Sequence, residues 1–129
     1  ALHRAARATR DSGFDRLVFE FSGDTLPGYQ VAYATDSIRH CGSGDPVSLT
    51  GTGFLVVRFE PAQAHDGQGR PTITDREWAP ELPAVKQLKL VCDFEGQVEW
   101  AVGLAGARRY RVIEAAAPAR VIVDVRHRD

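Results

Sequence analysis

A chain of 129 residues that is 43% hydrophobic and 26% charged has the size and make-up of a single globular domain, large enough to bury a two-layer core without a metal or a partner subunit. Sixteen Lys and Arg against 17 Asp and Glu leave a formal charge of −1, too weak a field to gather nucleic acid or an anionic membrane surface. No run of roughly eighteen apolar residues is present to cross a bilayer, and the opening at Ala1, with no initiator Met and no charged-then-apolar leader, is that expected of a mature or trimmed fragment.

Segment after segment alternates apolar and polar residues with a period of two, the pattern of strands that lay one face on a core. Leu2 to Thr9 favours helix by its Ala and Arg content, yet it reads as a strand paired with Arg16 to Ser22 across the Asp11-Ser12-Gly13 turn. In that second strand Leu17, Phe19 and Phe21 share one face, with Arg16, Glu20 and Ser22 on the other. Tyr29, Val31 and Tyr33 then alternate with Gln30, Ala32 and Ala34. Phe54, Val56 and Arg58 interleave with Leu55, Val57 and Phe59, apolar on both sides as in a central strand. Leu88, Leu90 and Cys92 follow, then Val98, Trp100 and Val102 opposite Gln97, Glu99 and Ala101, and last Val121, Val123 and Val125 against Arg120, Asp124 and Arg126. A single helical turn is expected around Ala79 to Val85.

Gly- and Pro-rich turns separate these runs, among them Pro27-Gly28, Gly42-Ser43-Gly44-Asp45-Pro46 and Glu95-Gly96. Many short strands with frequent turns predict an all-β fold, a two-sheet antiparallel β-sandwich with Leu17, Phe19, Phe21, Val56, Leu90, Trp100 and Val123 inside. One stretch breaks the rhythm. Pro61 to Pro83 holds four prolines and few apolar residues, and reads as a long Pro-rich loop that is either functional or a tolerated insertion. Cys41 and Cys92 belong to no zinc-type spacing; they are either one disulfide of an oxidising compartment or two small core residues of a reducing one.

The closing passage Tyr110-Arg-Val-Ile-Glu-Ala-Ala-Ala-Pro-Ala-Arg-Val-Ile-Val-Asp-Val resembles the signature of AMIN domains, an aromatic strand, a Pro-x-Arg turn and a Val-Ile-Val-Asp-Val strand. Phe14-Asp15-Arg16-Leu17-Val18-Phe19-Glu20-Phe21, with Pro27-Gly28-Tyr29 and Asp93-Phe94-Glu95-Gly96, is similar to the AMIN-like domain of actinobacterial secreted proteins and lipoproteins, and these passages frame nearly the whole chain. The resemblance implies an extracytoplasmic β-sandwich, secreted or held at the envelope, often through an upstream lipid anchor. It further implies a module without chemistry of its own that localises to peptidoglycan or another cell-wall glycan. It also favours the Cys41 to Cys92 disulfide over two free thiols. The chain departs from better-known AMIN domains in its Pro61 to Pro83 stretch and its cysteine pair.

No residue set makes a convincing catalyst. His40-Cys41-Gly42-Ser43-Gly44-Asp45 has the residue types of a triad, but sequence neighbours on extended backbone point apart, and the segment lacks both Gly-x-Ser-x-Gly and a phosphate-loop ending. It reads as a Gly-rich turn. His3, His40, His65 and His127 show no metal spacing, and His65-Asp66 supplies two ligands at most, so the histidines read as solvated loop residues and no metal or cofactor is expected. Glu95 and Glu99 read as exposed strand charges rather than a glycosidase pair.

Arg120 and Asp124 share a strand face but lie more than about ten ångström apart at ~3.3 Å per residue, so each should bond a neighbouring strand or turn, with Asp15 and Arg16 the natural partners. That polar patch is one candidate ligand surface. Trp78, with Arg76 near it in the long loop, is the other, because an indole in a polar loop either pins the loop or meets a ligand. The ligand-binding candidates are therefore Trp78, Arg76, Arg16 and Arg120. The expected role is a non-enzymatic envelope module that binds wall glycan. A protein-interaction domain of an exported lipoprotein, recognising an envelope protein by strand addition or through the loop, is the second reading, and a small hydrolase the third.

Overall fold

A computed structural model describes residues 1–128; Asp129, the last residue of the expected domain, lies outside the described residues. The strands run β1 (His3–Arg10), β2 (Phe14–Phe21), β3 (Gly28–Tyr33), β4 (Gly53–Glu60), β5 (Glu77–Trp78), β6 (Val85–Phe94), β7 (Gln97–Leu104), β8 (Tyr110–Ala115) and β9 (Arg120–Arg126). They form a four-stranded sheet ordered β1-β2-β9-β8 and a five-stranded sheet ordered β3-β4-β7-β6-β5, antiparallel throughout. The β1–β2 hairpin across Asp11-Ser12-Gly13 is as expected, so packing overrode the helix propensity of the opening segment.

The two sheets face each other as a sandwich because each strand supplies one apolar row. Leu17, Phe19 and Phe21 of β2, Val121, Val123 and Val125 of β9, Leu55, Val57 and Phe59 of β4, Leu88 of β6, and Val98, Trp100 and Val102 of β7 are all 0% exposed. Burial of each such side chain favours folding by roughly 1.5–3 kcal/mol, which makes these rows the main stabilising term. Val56 does not belong to the core as expected. It is half-buried on the outer face, because β4 is apolar on both sides and the choice falls to pairing: Val57, not Val56, lies opposite the inward Trp100. Leu90 also pairs with Trp100 and packs against the core, but remains half-buried where the β6 ladder shifts register between Leu90 and Cys92.

The helical turn around Ala79 to Val85 is absent. Pro80 and Pro83 disfavour helix there, and the chain instead turns through a left-handed Glu81 (φ 52°) before the Leu82 N–H bonds the Val85 carbonyl. The fully buried Asp15 carboxylate reaches across from β2 to accept the N–H groups of Ala84 and Val85 at 2.7 and 3.0 Å, so these backbone donors are satisfied without a helix.

Pro61 to Pro83 is an ordered plug with one short strand, β5, rather than a free loop. Ala62, Ala64 and Ile73 are buried, and the Gln63 carbonyl accepts from His3 N–H while Thr72 Oγ1 donates to the His3 carbonyl. His3 is the largest departure from expectation. It is 0% exposed, stacked on Phe21 at 4.8 Å and near Phe19, Phe59 and Trp100. Its ring is held neutral in one tautomer: Nδ1–H donates to the Glu20 carbonyl (2.9 Å) and Nε2 accepts from Trp100 Nε1–H (3.0 Å). Burial pushes its pKa down to about 4.

Candidate functional site

Strand register arranges the outer face of the four-stranded sheet in cross-strand rows. One row runs Thr9, Arg16, Asp124, Arg111; the next is Arg7, Val18, Ile122, Ile113; a third is Ala5, Glu20, Arg120, Ala115; and Phe14 lies opposite Arg126 at the end of the sheet. These positions follow from the alternation of β2, where Asp15, Leu17, Phe19 and Phe21 point inward and Phe14, Arg16, Val18 and Glu20 must point out.

Asp124 is the hub of this face. Its carboxylate accepts two hydrogen bonds from Arg16, Nε–H to Oδ1 at 2.8 Å and Nη2–H to Oδ2 at 3.0 Å, and a third from Arg111 Nε–H to Oδ2 at 3.0 Å. Although it lies on the outer side of the sheet, its side chain is only 2% exposed because the two guanidinium groups cover it. Burial alone would raise its pKa, but the hydrogen bonds and charges of Arg16 and Arg111 outweigh that and hold it below the usual carboxylate range. The bond to Asp124 likewise raises the pKa of Arg16. Both guanidinium carbons also lie over the Phe14 ring, at 5.6 Å for Arg16 and 5.5 Å for Arg111, within cation–π range.

Beside this cluster opens a cleft of about 360 Å³ lined by Ser12, Gly13, Phe14, Arg109, Tyr110, Arg111, Asp124 and Arg126. It combines two aromatic residues, Phe14 and Tyr110, with three arginines and a single carboxylate that is already shared by two cations. Arg109 and Arg126 are exposed, and neither side chain has a polar partner among the described residues. The size is that of a small-ligand site.

The four ligand-binding candidates read from the sequence divide between the two sheets. Arg16 is in the hub and bonds Asp124, one of the neighbour pairings expected for the last strand. Arg120 shares the same outer face, but its guanidinium turns back on its own hairpin, to the carbonyls of Pro118 (3.1 Å) and Ala116 (3.5 Å). Arg76 donates to the carbonyls of Ile73 and Ala64 and to Asp93 Oδ2, knitting the Pro-rich segment to β6. Trp78 is half-buried in β5 and meets Trp100 edge-to-face at 5.7 Å, so it pins the segment to the core. It also borders a groove of about 520 Å³ with Asp75 and Ala6 to Thr9 of the edge strand β1.

The His40 to Asp45 turn is clipped to β6 by a Cys41–Cys92 disulfide, which occupies the thiol that a nucleophile would need. The Ser43 hydroxyl accepts the Asp45 N–H within the turn. Of the histidines, only His40 fits the solvated description. His65 Nδ1 lies 2.9 Å from Asp93 Oδ1 and His127 Nε2 lies 2.8 Å from Asp15 Oδ1, each ring tying a terminal or loop segment to a strand carboxylate. Asp93 is itself held below the usual carboxylate range, its burial outweighed by the Ala64 N–H, His65 and Arg76. Glu99 pairs with Arg58 on the outer face of the other sheet and Glu95 is exposed in a turn. Among the described residues no group of three or more His, Cys, Asp or Glu side chains is placed to hold a metal ion, and no helix is long and apolar enough to cross a membrane.

Phe14, Arg109, Arg111 and Arg126 were not expected at the site. The outward positions of Phe14, Arg111 and Arg126 on β2, β8 and β9 follow from alternation, but Arg109 lies just before β8, and that β8 lies beside β9 in the register that sets Arg111 on Asp124 is tertiary information. The model of the AMIN-like domain family matches residues 1–127, essentially the whole chain. No curated protein and no solved structure matches it.

Proposed function

The chain belongs to the AMIN-like domain family, and from that premise we propose that it is a non-catalytic cell-envelope module that binds peptidoglycan or another cell-wall glycan. The family points to a cell-wall setting, and the Cys41–Cys92 disulfide is consistent with an extracytoplasmic one. The observation that carries the reading is the cleft at Phe14, where an aromatic ring and the guanidinium groups of Arg109, Arg111 and Arg126 line one opening. Wall polymers present both sugar faces and acidic groups, and such a mixed site meets both. Co-sedimentation of the purified chain with protein-free cell-wall sacculi tests this: retention that falls with salt is expected, and a chain that stays in the supernatant at low salt overturns it.

The second reading, recognition of an envelope protein by strand addition, has its own observation. β1 is an edge strand, and the groove between Ala6 to Thr9 and Trp78 runs beside it. It predicts no retention on sacculi, and disulfide cross-linking from a cysteine placed at exposed Thr9 to a partner protein in envelope extracts.

A further inference from the structure

We propose that the cleft bounded by Phe14, Arg109, Arg111 and Arg126 is a discrete carboxylate-binding site, and that its ligand is the free carboxylate of a peptidoglycan stem peptide. The inference rests on the wall-binding reading and names the part of the polymer that is recognised.

Charge distribution is the first ground. The outer face of the four-stranded sheet and the mouth of its cleft gather Arg7, Arg16, Arg109, Arg111, Arg120 and Arg126 against Asp11, Glu20 and Asp124, on a chain whose total charge is −1. A local excess of this kind on an acidic background steers anions to one face. The second ground is what the arginines already do. Asp124 shows that this surface holds a carboxylate with fork geometry, through both Nε and Nη2 of Arg16, while Arg111 meets it through Nε alone and keeps its terminal nitrogens for another acceptor. Arg109 and Arg126 bring two further guanidinium groups with no acceptor among the described residues.

The third ground separates a discrete acid from a polyanionic chain. A phosphate polymer needs a continuous basic track. Here the basic character is interrupted: Val18, Ile122 and Ile113 form an apolar band whose row ends at Arg7, itself paired with Glu20 at 3.3 Å, and beyond the band Arg120 is turned onto its own hairpin. Arg109 and Arg126, which have no polar partner among the described residues, come together at the end with the cleft, and there the Phe14 ring supplies an apolar wall for the carbon skeleton next to the acid; exposed Arg4, also without a partner among them, lies at the β1 bulge at the opposite end.

The experiment uses the whole chain labelled with nitrogen-15 and a soluble stem tetrapeptide bearing free carboxylates, with the same peptide amidated at its carboxylates as the control. Titration is expected to shift the amide signals of Ser12 to Phe14 and Arg109 to Arg111. The amidated peptide should bind about tenfold more weakly or less, the loss expected of a missing charge-assisted bond. Arg109→Glu and Arg126→Glu, at exposed positions whose side chains have no polar partner among the described residues, should each weaken the free peptide to a similar degree, while Arg58→Glu on the other sheet leaves it unchanged. Shifts that are equal for free and amidated peptide, shifts that centre elsewhere, or no shifts at all overturn the proposal. Retention on sacculi distinguishes the two levels: a chain that sediments with sacculi but ignores the tetrapeptide keeps the wall-binding reading and loses this site, whereas loss of sedimentation removes that reading as well.

Discussion

Lowering the pH from 7.5 to 4.5 should weaken the fold through His3. The ring is 0% exposed and both nitrogens are engaged, so a proton on Nε2 would remove the acceptor for Trp100 Nε1–H and place a cation among Phe19, Phe21, Phe59 and Trp100. Its pKa falls from 6.5 to about 4 on folding, with burial the largest cause. The unfolded chain therefore binds the proton first, and stability is complete above 6.5 and lost as the pH falls from there towards 4. The shift converts to about 2 to 3 kcal/mol at pH 4.5, a fall in Tm on the order of 10 °C. Asp93 and Asp124, whose pKa values are lowered below 3.8, lose their contributions only at still lower pH, and comparison with a variant that lacks the ring singles out His3 within the window. Denaturant midpoints across that window for the native chain and for His3→Phe are the assay. The variant should be less stable at pH 7.5, because Trp100 loses its acceptor, yet should lose less stability than the native chain on acidification. An equal acid slope in both proteins would refute the assignment.

Trp78→Ala should cost about 3 kcal/mol, read as a lowered Tm, because it removes the edge-to-face contact with Trp100 and opens a void against the core. Retention on sacculi should be unaltered in that variant at temperatures where it remains folded; weaker retention would return Trp78 to the ligand site. Reduction of Cys41–Cys92, which spans a sequence separation of 51 residues, should lower stability by about 4 kcal/mol on the chain-entropy model, seen as a shift in urea midpoint with and without dithiothreitol. An unshifted midpoint would mean that the reduced unfolded chain is already restrained.

The fold was legible where a strand is apolar on one side only. β2 shows this directly, its inward row being the buried one; in β9 the inward Val121, Val123 and Val125 are all buried as read, and Arg16 and Asp124 on the outward rows meet as adjacent strands allow. Alternation failed at β4, where two apolar faces leave the inward side to pairing with Trp100, and in the segment from Pro61 to Pro83, whose Ala62, Ala64 and Ile73 bury without any period. His3 and Trp78 share one cause. A polar-tipped ring in a polar stretch gives no local sign of the aromatic cluster that receives it, since that cluster is assembled from β2, β4 and β7. The candidate site was half legible for the same reason: Arg16 could be named, but the cleft exists only once the start of β8 and the end of β9 come together beside the Ser12-Gly13 turn.

Hydrogen–deuterium exchange of the whole chain with and without muramidase-solubilised peptidoglycan addresses the central claim most directly, because it reports binding and its location together. Slowed exchange in peptides that cover Ser12 to Arg16 and Arg109 to Arg111, with the His40 to Asp45 turn and the Trp78 groove unaffected, is the predicted result. Unchanged exchange throughout, or protection confined to β1 and Trp78, would contradict it.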